Sequence, residues 1–538
     1  MANNQDIRPK DLSRDCEQLV KLEKLMELPA PYDGPGMEPS FAETKDEWKK
    51  NHCASLDGYV GIETLVRPKT KEEEERLVKG FLSGLEKTFS AETNRNFLQP
   101  LLLSFEYCAK CNTCSEACHV YLASNRNEIY RPLFRSEAFR SIIKKYRGGG
   151  NKFLEKWTGG DIQINWETIA RLGELAYRCN LCRRCAQTCP LGLDNALLAR
   201  EIRKIFSQEL GIAPKPLHEK GTVLQLATGS STGITKPALL DMLEFIEEEI
   251  EELTGKKIKF PLDKKGADIL LTHNAGEFMA WPENPAAFAI LFEEAGLDWT
   301  LSTEIIGYDN VNYGIWYDDG MARQVALQQF KAARELGVRR IIIGECGHAH
   351  RAAAVSMDRV VTSKDYIPRE SCLPLLWELV RDKKLQFDPS KNNFPVTLHD
   401  PCNVVRAMGI VQPQREILRA ICPQFREMTP HGVYNYCCGG GSGFAIMNSM
   451  NFPEFRNKVS ARMKFKQILD AFQGEVEKTE IPKYVCAPCS NCKGTIRDLL
   501  EYYEATDKYN IHYGGLVELM VNALVGLEKP FLEFLREE

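Results

Sequence analysis

Tyr436-Cys437-Cys438-Gly439-Gly440-Gly441 sets two adjacent cysteines ahead of a glycine run. A disulfide between chain neighbours strains the peptide joining them, so both thiols are available for other work. The glycines allow close backbone approach or positive φ. His399-Asp400-Pro401-Cys402 lies upstream, and Cys489-Ser490-Asn491-Cys492 lies downstream. The first hypothesis is that these five sulfurs, from Cys402, Cys437, Cys438, Cys489 and Cys492, wrap one iron–sulfur cluster where the chemistry happens. Cys486 offers an alternative Cys-x-x-Cys pairing with Cys489.

Two further groups are more tightly spaced. Cys108, Cys111, Cys114 and Cys118 follow Cys-x2-Cys-x2-Cys-x3-Cys, and Cys179, Cys182, Cys185 and Cys189 repeat it with Pro190 directly behind. This is the bacterial ferredoxin run, in which the fourth cysteine serves the other cluster. The expected ligand sets are therefore crossed. Cys108, Cys111, Cys114 and Cys189 go to one [4Fe–4S] cluster, and Cys179, Cys182, Cys185 and Cys118 to a second. Zinc sites prefer two separated Cys-x2-Cys pairs, which this spacing does not provide. Arg178, Arg183 and Arg184 flank the second group; they are either surface arginines or charges that raise its potential.

The chain that must position these groups has 538 residues, enough for several domains. Its 43% hydrophobic and 27% charged composition is ordinary for a globular protein. A net charge of −5 argues against general nucleic-acid binding. No apolar run approaches the ~18–20 residues that span a bilayer, and the N-terminus lacks an apolar signal region. A cytoplasmic location is expected, with any membrane contact made through a partner. Nineteen cysteines in tight groups within a long chain read as metal ligands, not as a secreted disulfide framework.

The expected fold class is multidomain α plus α/β. Residues 1–95 read as an extension that packs on the rest of the chain or on a partner. It has helical patterns at Cys16–Leu28 and Lys71–Phe89, and idle or buried thiols at Cys16 and Cys53. Residues 96–215 read as helical and hold both ferredoxin-type groups. Their basic run, Arg131, Arg135, Arg140, Lys144, Lys145 and Arg147, is either a solvated helix face or a docking surface for an acidic partner. Residues 216–265 read as a helical linker, with an apolar stripe along Pro237–Lys257.

From Gly266 short apolar strands alternate with helices, which predicts parallel sheet. The strands are Ala267–Thr272, Arg340–Gly344, Val396–His399 and Lys483–Ala487. The helices include Met321–Leu336, Gln414–Ala420 and Lys493–Tyr503. Two halves, 266–380 and 381–538, each hold a strand ending in a cysteine-containing turn: Gly344-Glu345-Cys346-Gly347-His348 and Cys486-Ala487-Pro488-Cys489. This suggests an internal duplication. The first half lacks both an adjacent cysteine pair and His-Asp-Pro-Cys, so a second site of this kind is not expected there. His348 is a candidate proton donor near its ordinary pKa. Cys346 is a candidate reactive thiol, an extra ligand, or simply part of a packed turn. Cys372 and Cys422 read as core cysteines.

His399-Asp400-Pro401-Cys402, thirty-four intervening residues, Cys437-Cys438-Gly439 and Cys489-x2-Cys492 together resemble the CCG domain of heterodisulfide reductase. Related domains occur in glycolate oxidase and glycerol-3-phosphate dehydrogenase iron–sulfur subunits. The sixty residues between Cys118 and Cys179 resemble the α-helical ferredoxin domain of electron-transfer subunits. Over about residues 96–538 the chain is similar to the D subunit of heterodisulfide reductase and, more narrowly, to DsrK-type subunits of the Dsr membrane complex. The resemblance implies an α-helical ferredoxin domain followed by two α/β CCG-type halves. It also implies a noncubane [4Fe–4S] cluster on Cys402, Cys437, Cys438, Cys489 and Cys492, in addition to two ordinary [4Fe–4S] clusters.

It further implies an oxidoreductase in which an S–S bond splits over the noncubane cluster, with Cys437 and Cys438 at the reacting centre. Two electrons and two protons then release two thiols. The implied partners are a membrane cytochrome b-type, DsrM-like subunit that passes electrons from quinol, a DsrC-like small protein carrying the disulfide or trisulfide, and further complex subunits. The chain would then lie in the cytoplasm, peripheral at the inner face of the membrane. Two other readings compete: an electron-transfer subunit serving a flavin-dependent dehydrogenase of the glycolate or glycerol-3-phosphate type, and an assembly scaffold with relict clusters.

Overall fold

The computed structural model describes residues 39–40, 65–66, 68–147, 162–359, 366–447 and 455–536. The expected helix at Cys16–Leu28 and the thiols Cys16 and Cys53 lie outside the described residues. A two-residue antiparallel ribbon joins 39–40 to 65–66. The described helices then begin with α1 (Lys71–Thr88), one residue shorter than its apolar pattern suggested. Thr70 and Glu73 form its capping box: Glu73 N donates to Thr70 Oγ1 at 3.2 Å, and Thr70 N donates to Glu73 Oε2 at 3.3 Å.

The helical domain continues with α2 (Arg95–Glu106), α3 (Pro132–Arg147), α4 (Trp166–Tyr177) and α5 (Asn195–Leu210). Leu77, Phe81 and Leu85 recur every fourth residue along α1, and all three are buried. Phe81 meets Phe206 of α5 edge-on at 5.9 Å. Lys87 pairs with Glu209 at 3.0 Å. The described helix of the N-terminal segment therefore packs on this chain. The central helix α5 starts at Asp194, whose carboxylate accepts from Ala196 N and Leu197 N, and it ends at Gly211 in the left-handed region.

The basic run on α3 is not a free charged face. Arg140 is buried, pairs with Glu137 and donates to the Ser104 and Phe105 carbonyls. Arg135 is buried and donates to Leu175 O, and Lys145 donates to Ile162 O. Arg135 and Arg140 close the ends of α4 and α2 and Lys145 holds the loop before α4, which overturns the docking-surface alternative for these three.

The linker region carries α6 (Lys236–Thr254), whose Leu239, Leu243, Ile246 and Ile250 are buried in the core of the α/β region. Just before it, Gln225 Nε2 donates to Val311 O at 2.5 Å, and His218 Nδ1 lies 3.1 Å from Tyr317 OH. Residues 216–228 are therefore a packed wedge in contact with the first α/β half.

That half holds β1 (Ile269–Thr272), α7 (Glu283–Glu294), β2 (Trp299–Thr300), α8 (Asp319–Leu336), β3 (Arg340–Ile343), β4 (Arg369–Ser371) and α9 (Cys372–Arg381). The second holds β5 (Val396–Leu398), α10 (Pro413–Ile421), β6 (Phe425–Arg426), α11 (Arg462–Ala471), β7 (Lys483–Cys486), α12 (Ser490–Tyr502), β8 (Ile511–Gly514) and α13 (Leu516–Asn522). Both sheets are parallel, with orders β2-β1-β3-β4 and β6-β5-β7-β8. The same topology twice is the architectural form of the duplication. A single hydrophobic core runs through both halves, from Ile269 and Ile342 to Val396, Tyr484 and Leu516. Among the described residues no helix is long and apolar enough to cross a membrane.

A buried polar network joins the halves. Glu345 accepts from Leu516 N at 2.9 Å and from Asn284 Nδ2 at 3.0 Å, and Lys493 pairs with Glu518 at 3.1 Å. Burial pushes the Glu345 carboxyl up to about 8, with Glu518 adding to the rise against the opposing pull of Lys493. A carboxyl raised on folding stabilises fully below its unfolded value, about 4.3, and loses that contribution as pH rises through 8. Unfolding free energy should therefore fall between about pH 5 and pH 9, and Glu345→Gln should flatten that slope in urea titrations followed by tryptophan fluorescence.

Candidate metal centre and its relay

In open parallel sheets, ligands bind beyond the carboxyl ends of the strands where strand order reverses. In the second half that point lies between β5 and β7. His399 to Cys402 leave the end of β5, and Cys489 to Cys492 leave the end of β7 and open α12. The Cys437–Gly443 loop comes across from the β6 side. Cys402, Cys438, Cys489 and Cys492 line one cavity with Gly440–Gly443, Pro401 and Asn491. Cys438 and Cys492 Sγ are 3.4 Å apart. Cys437 stands outside that lining, wedged among the sulfurs of Cys182, Cys402 and Cys438, and its thiol is pushed well up by hydrogen bonding to them. Cys438 is held well below the ordinary thiol value, first by Cys437, then by Cys492 and His399. All five sequence-nominated sulfurs therefore converge. Cys486 does not join them, because as the last residue of β7 its side chain lies in the core that also holds Cys372 and Cys422.

The opposite wall of the cavity comes from the first half: Tyr313, Trp316, Gly347 and His348. A Cβ on Gly347 would lie 3.0 Å from Cys489 Sγ, so that backbone seats against the sulfur only as glycine. Register shows what this half lacks. Thr272 pairs with Ile343 as Leu398 pairs with Cys486. Counting onward from these pairs, Gly276 occupies the place of Cys402, Cys346 that of Cys489 and Ala349 that of Cys492. Cys346 alone remains of those three, buried and accepting from Ala349 N at 3.4 Å.

His348 is where the sequence expectation needs correction. It does not titrate near neutrality: burial pushes it down to about 4, and Nε2 sits 2.9 Å from Asn312 O. Its ring is clamped edge-on by Tyr313 and Trp316, each at 5.0 Å. At neutral pH it is an uncharged element of the cavity wall and not a standing acid.

The ferredoxin-type cysteines also separate as two crossed groups. One cavity is lined by Cys108, Cys111, Cys114 and Cys189, and another by Cys118, Cys179, Cys182 and Cys185. The first group reaches the surface: Cys111 is exposed, as are Tyr107 and Leu191 beside it. The second is half-buried, against the glycine loop. Asn180 Nδ2 donates to Gly439 O at 2.9 Å, Ser442 Oγ to Cys179 O at 2.9 Å, and Arg406 Nη1 to Cys182 O at 2.8 Å. Arg203 donates to both Cys179 O and Ser442 O. The flanking arginines are structural: Arg184 donates to Ala117 O and Tyr434 O and stacks over Tyr436, while Arg183 pairs with Asp194 at 2.8 Å. Cys182 and Cys437 meet sulfur to sulfur across this seam, where the second and third cysteine groups touch.

The donor set fits iron–sulfur groups: four thiols around each of two cavities, and five converging around a third. Two further residues stand at the third site, one within a quoted motif and one without any sequence signal. His399 is buried, with one ring nitrogen within 4.8 Å of the Cys438 and Cys492 sulfurs. Lys464, on α11, is fully buried behind the cysteine pair. Its presence in His-Asp-Pro-Cys could have nominated His399. Lys464 lies in an ordinary amphipathic stretch and could not have been picked out.

The 4Fe-4S dicluster domain family matches residues 104–193, and the CCG cysteine-rich domain family matches residues 396–497. The chain is 27% identical over 493 residues to the Hdr-like menaquinol oxidoreductase iron-sulfur subunit 2 of Archaeoglobus fulgidus, covering 83% of each. A second relative, the Hdr-like menaquinol oxidoreductase iron-sulfur subunit of Archaeoglobus profundus, is 25% identical and covered to 81% on both sides. The D subunit of the dihydromethanophenazine:CoB–CoM heterodisulfide reductase of Methanosarcina acetivorans is 23% identical over 66% of this chain and 83% of its own.

A Cβ on Gly441 would lie 2.9 Å from Asn180 O, so Gly441→Ala should pry the seam apart and lower stability by about 1–3 kcal/mol in denaturant titrations. Gly526→Ala, where a Cβ meets nothing within 4 Å, should leave it unchanged.

Proposed function

We propose, on the premise that this chain is an iron–sulfur protein of the kind found in DsrK and in the D subunit of heterodisulfide reductase, that it reduces a disulfide or trisulfide as part of a membrane-associated redox complex. Electrons come from quinol through a cytochrome b-type, DsrM-like partner, with further subunits in the assembly. The chain itself sits peripherally on the inner face of the membrane. The substrate is the sulfur of a small DsrC-like protein. Relatives named as menaquinol oxidoreductase subunits and as a heterodisulfide reductase subunit support both ends of this reaction.

The observation that carries the reading is the order of the three cysteine groups: one that reaches the surface at Cys111, one half-buried between the helical domain and the glycine loop, and a buried one touching the second through Cys182 and Cys437. Cys108, Cys111, Cys114 and Cys189 hold the outer [4Fe–4S] cluster, and Cys118, Cys179, Cys182 and Cys185 hold the inner one. Cys402, Cys437, Cys438, Cys489 and Cys492 hold a noncubane [4Fe–4S] cluster, which when bound supplies electrons at irons open to a sulfur ligand. This chain's residues do the rest. Tyr313 and Trp316 offer an apolar, polarisable wall to a sulfur substrate. The first half presents no second cysteine pair, so the two sulfurs of the split bond meet different surroundings. One faces the cysteine site and the other the aromatic wall, and two electrons delivered through the relay with two protons convert both to thiols.

Cys437→Ala and Cys438→Ala should each abolish disulfide reduction and remove about four irons per chain while leaving both ordinary cluster signals in EPR. Titrating the purified protein with candidate disulfides should produce a substrate-dependent paramagnetic state that these variants lack. Its absence in the unsubstituted protein would count against the proposal. Co-purification with a flavoprotein in place of a cytochrome b would favour the electron-transfer alternative.

A further inference from the structure

Lys464 forms no ion pair that would account for its burial: burial pushes its ammonium down to about 7, and Asp400 and the cysteine sulfurs draw it back up only from a distance. Its side chain is fully buried, and Nζ donates to Asn435 Oδ1 at 2.8 Å, to Met428 Sδ at 3.5 Å and to Gln467 Oε1, all uncharged acceptors. Among the described residues no carboxylate lies within ion-pair distance of it. A buried ammonium without a counter-ion is costly unless negative charge lies close by. What lies on the far side of Asn435 is the cysteine site.

The hydrogen bonds through Asn435 have a forced direction. Lysine only donates, so the oxygen of the Asn435 amide must face Lys464. The amide nitrogen then faces Asp400 O at 3.3 Å and His399 Nδ1 at 3.4 Å. Asp400 O is itself an acceptor, which fixes the same amide orientation a second time. His399 Nδ1 must therefore accept, and the imidazole proton is left on Nε2. That nitrogen is buried and has no hydrogen-bond partner among the described residues. The imidazole stands beside Cys438 and Cys492, within 4.8 Å of both sulfurs. A second anchor keeps the backbone in place: Asp400 is held by both Arg415 guanidinium nitrogens at 2.6 and 2.7 Å and accepts from Gly432 N.

We propose that Lys464 and Asn435 are positioning residues that lock His399 as the Nε2–H tautomer, so that it donates to sulfur at the Cys438–Cys492 site instead of ligating iron. The donated hydrogen bond and the buried lysine charge together raise the reduction potential of the group bound there. This rests on the cluster assignment of the preceding subsection. Both effects act in one direction: a donor to the thiolate and a nearby positive charge each favour the more negative, reduced state. The arrangement would set the inner end of the relay as the electron sink.

The test uses the full-length, cluster-loaded protein labelled with 15N-histidine. In the third paramagnetic species, the expected nitrogen hyperfine coupling is weak and is accompanied by a proton coupling that exchanges in D2O. A strong coupling typical of a direct iron–nitrogen bond would overturn the inference. In redox titrations Lys464→Met and Asn435→Asp should each lower the potential of that species by at least tenfold in the one-electron equilibrium, ~59 mV. The two ordinary clusters should stay in place. An unmoved potential in both variants would overturn the inference while leaving the proposed function standing. Absence of a third paramagnetic species in the unsubstituted protein would overturn the cluster assignment and this inference together. The histidine measurement needs no substitution, so it stands even where a variant fails to fold.

Discussion

The seam between the Cys179–Cys182 turn and the Cys437–Gly443 loop is the constraint on which the rest of the structure depends. Two backbones with few side chains between them meet there, and each must give up water without stranding its polar groups. The chain solves this with Asn180, Ser442, Arg203 and Arg406, whose side chains bond the carbonyls across the seam. The glycine run is what lets the loop come close enough for Cys437 to reach Cys182. The helical domain is consequently not an appendage on a linker. α5 sends Arg203 into the seam, α1 braces α5 from behind, and residues 216–228 fill the angle between the helical domain and the first α/β half.

The duplicated α/β region illustrates how one topology can diverge in chemistry while keeping its frame. Both sheets reverse strand order at the same point and aim the same two strand ends at each other. In the second half those ends carry cysteines. In the first, Gly276 and Ala349 stand at two of the matching positions, and aromatic side chains have taken up the space. A shared core and the Glu345–Asn284–Glu518–Lys493 network tie the halves together. A half that no longer offers its own sulfur pair still shapes the cavity, because its strand ends cannot be moved without disturbing that core.

Burial decided the behaviour of several side chains that local chemistry alone misjudges. His348 looks like a switch at neutral pH, yet a dry pocket and two aromatic edges hold it neutral. The arginines beside the second cysteine group look like surface charge. In the structure, Arg184 bonds carbonyls of both domains and Arg183 pairs with Asp194. The basic residues Arg135 and Arg140 likewise serve helix ends instead of a partner.

From its sequence alone the chain determined its fold class, the cysteine groups and the central strands of both sheets. Cysteine spacing is a local property that few other structures tolerate, and β1, β3, β5 and β7 are apolar runs buried on both faces. The edge strands β2, β4, β6 and β8 were not legible. β2 and β6 are only two residues long, and β4 and β8 hold exposed or half-buried residues in place of a continuous apolar run; all four exist because a neighbour offers them hydrogen bonds. Only the tertiary structure brought His399, Asn435 and Lys464 into line, set Cys182 against Cys437 and left Cys486 in the core. Each of these depends on residues far apart in the chain meeting in a pocket from which water is excluded. There the direction of a hydrogen bond or the cost of a charge follows from what lies opposite, which no local stretch of sequence encodes.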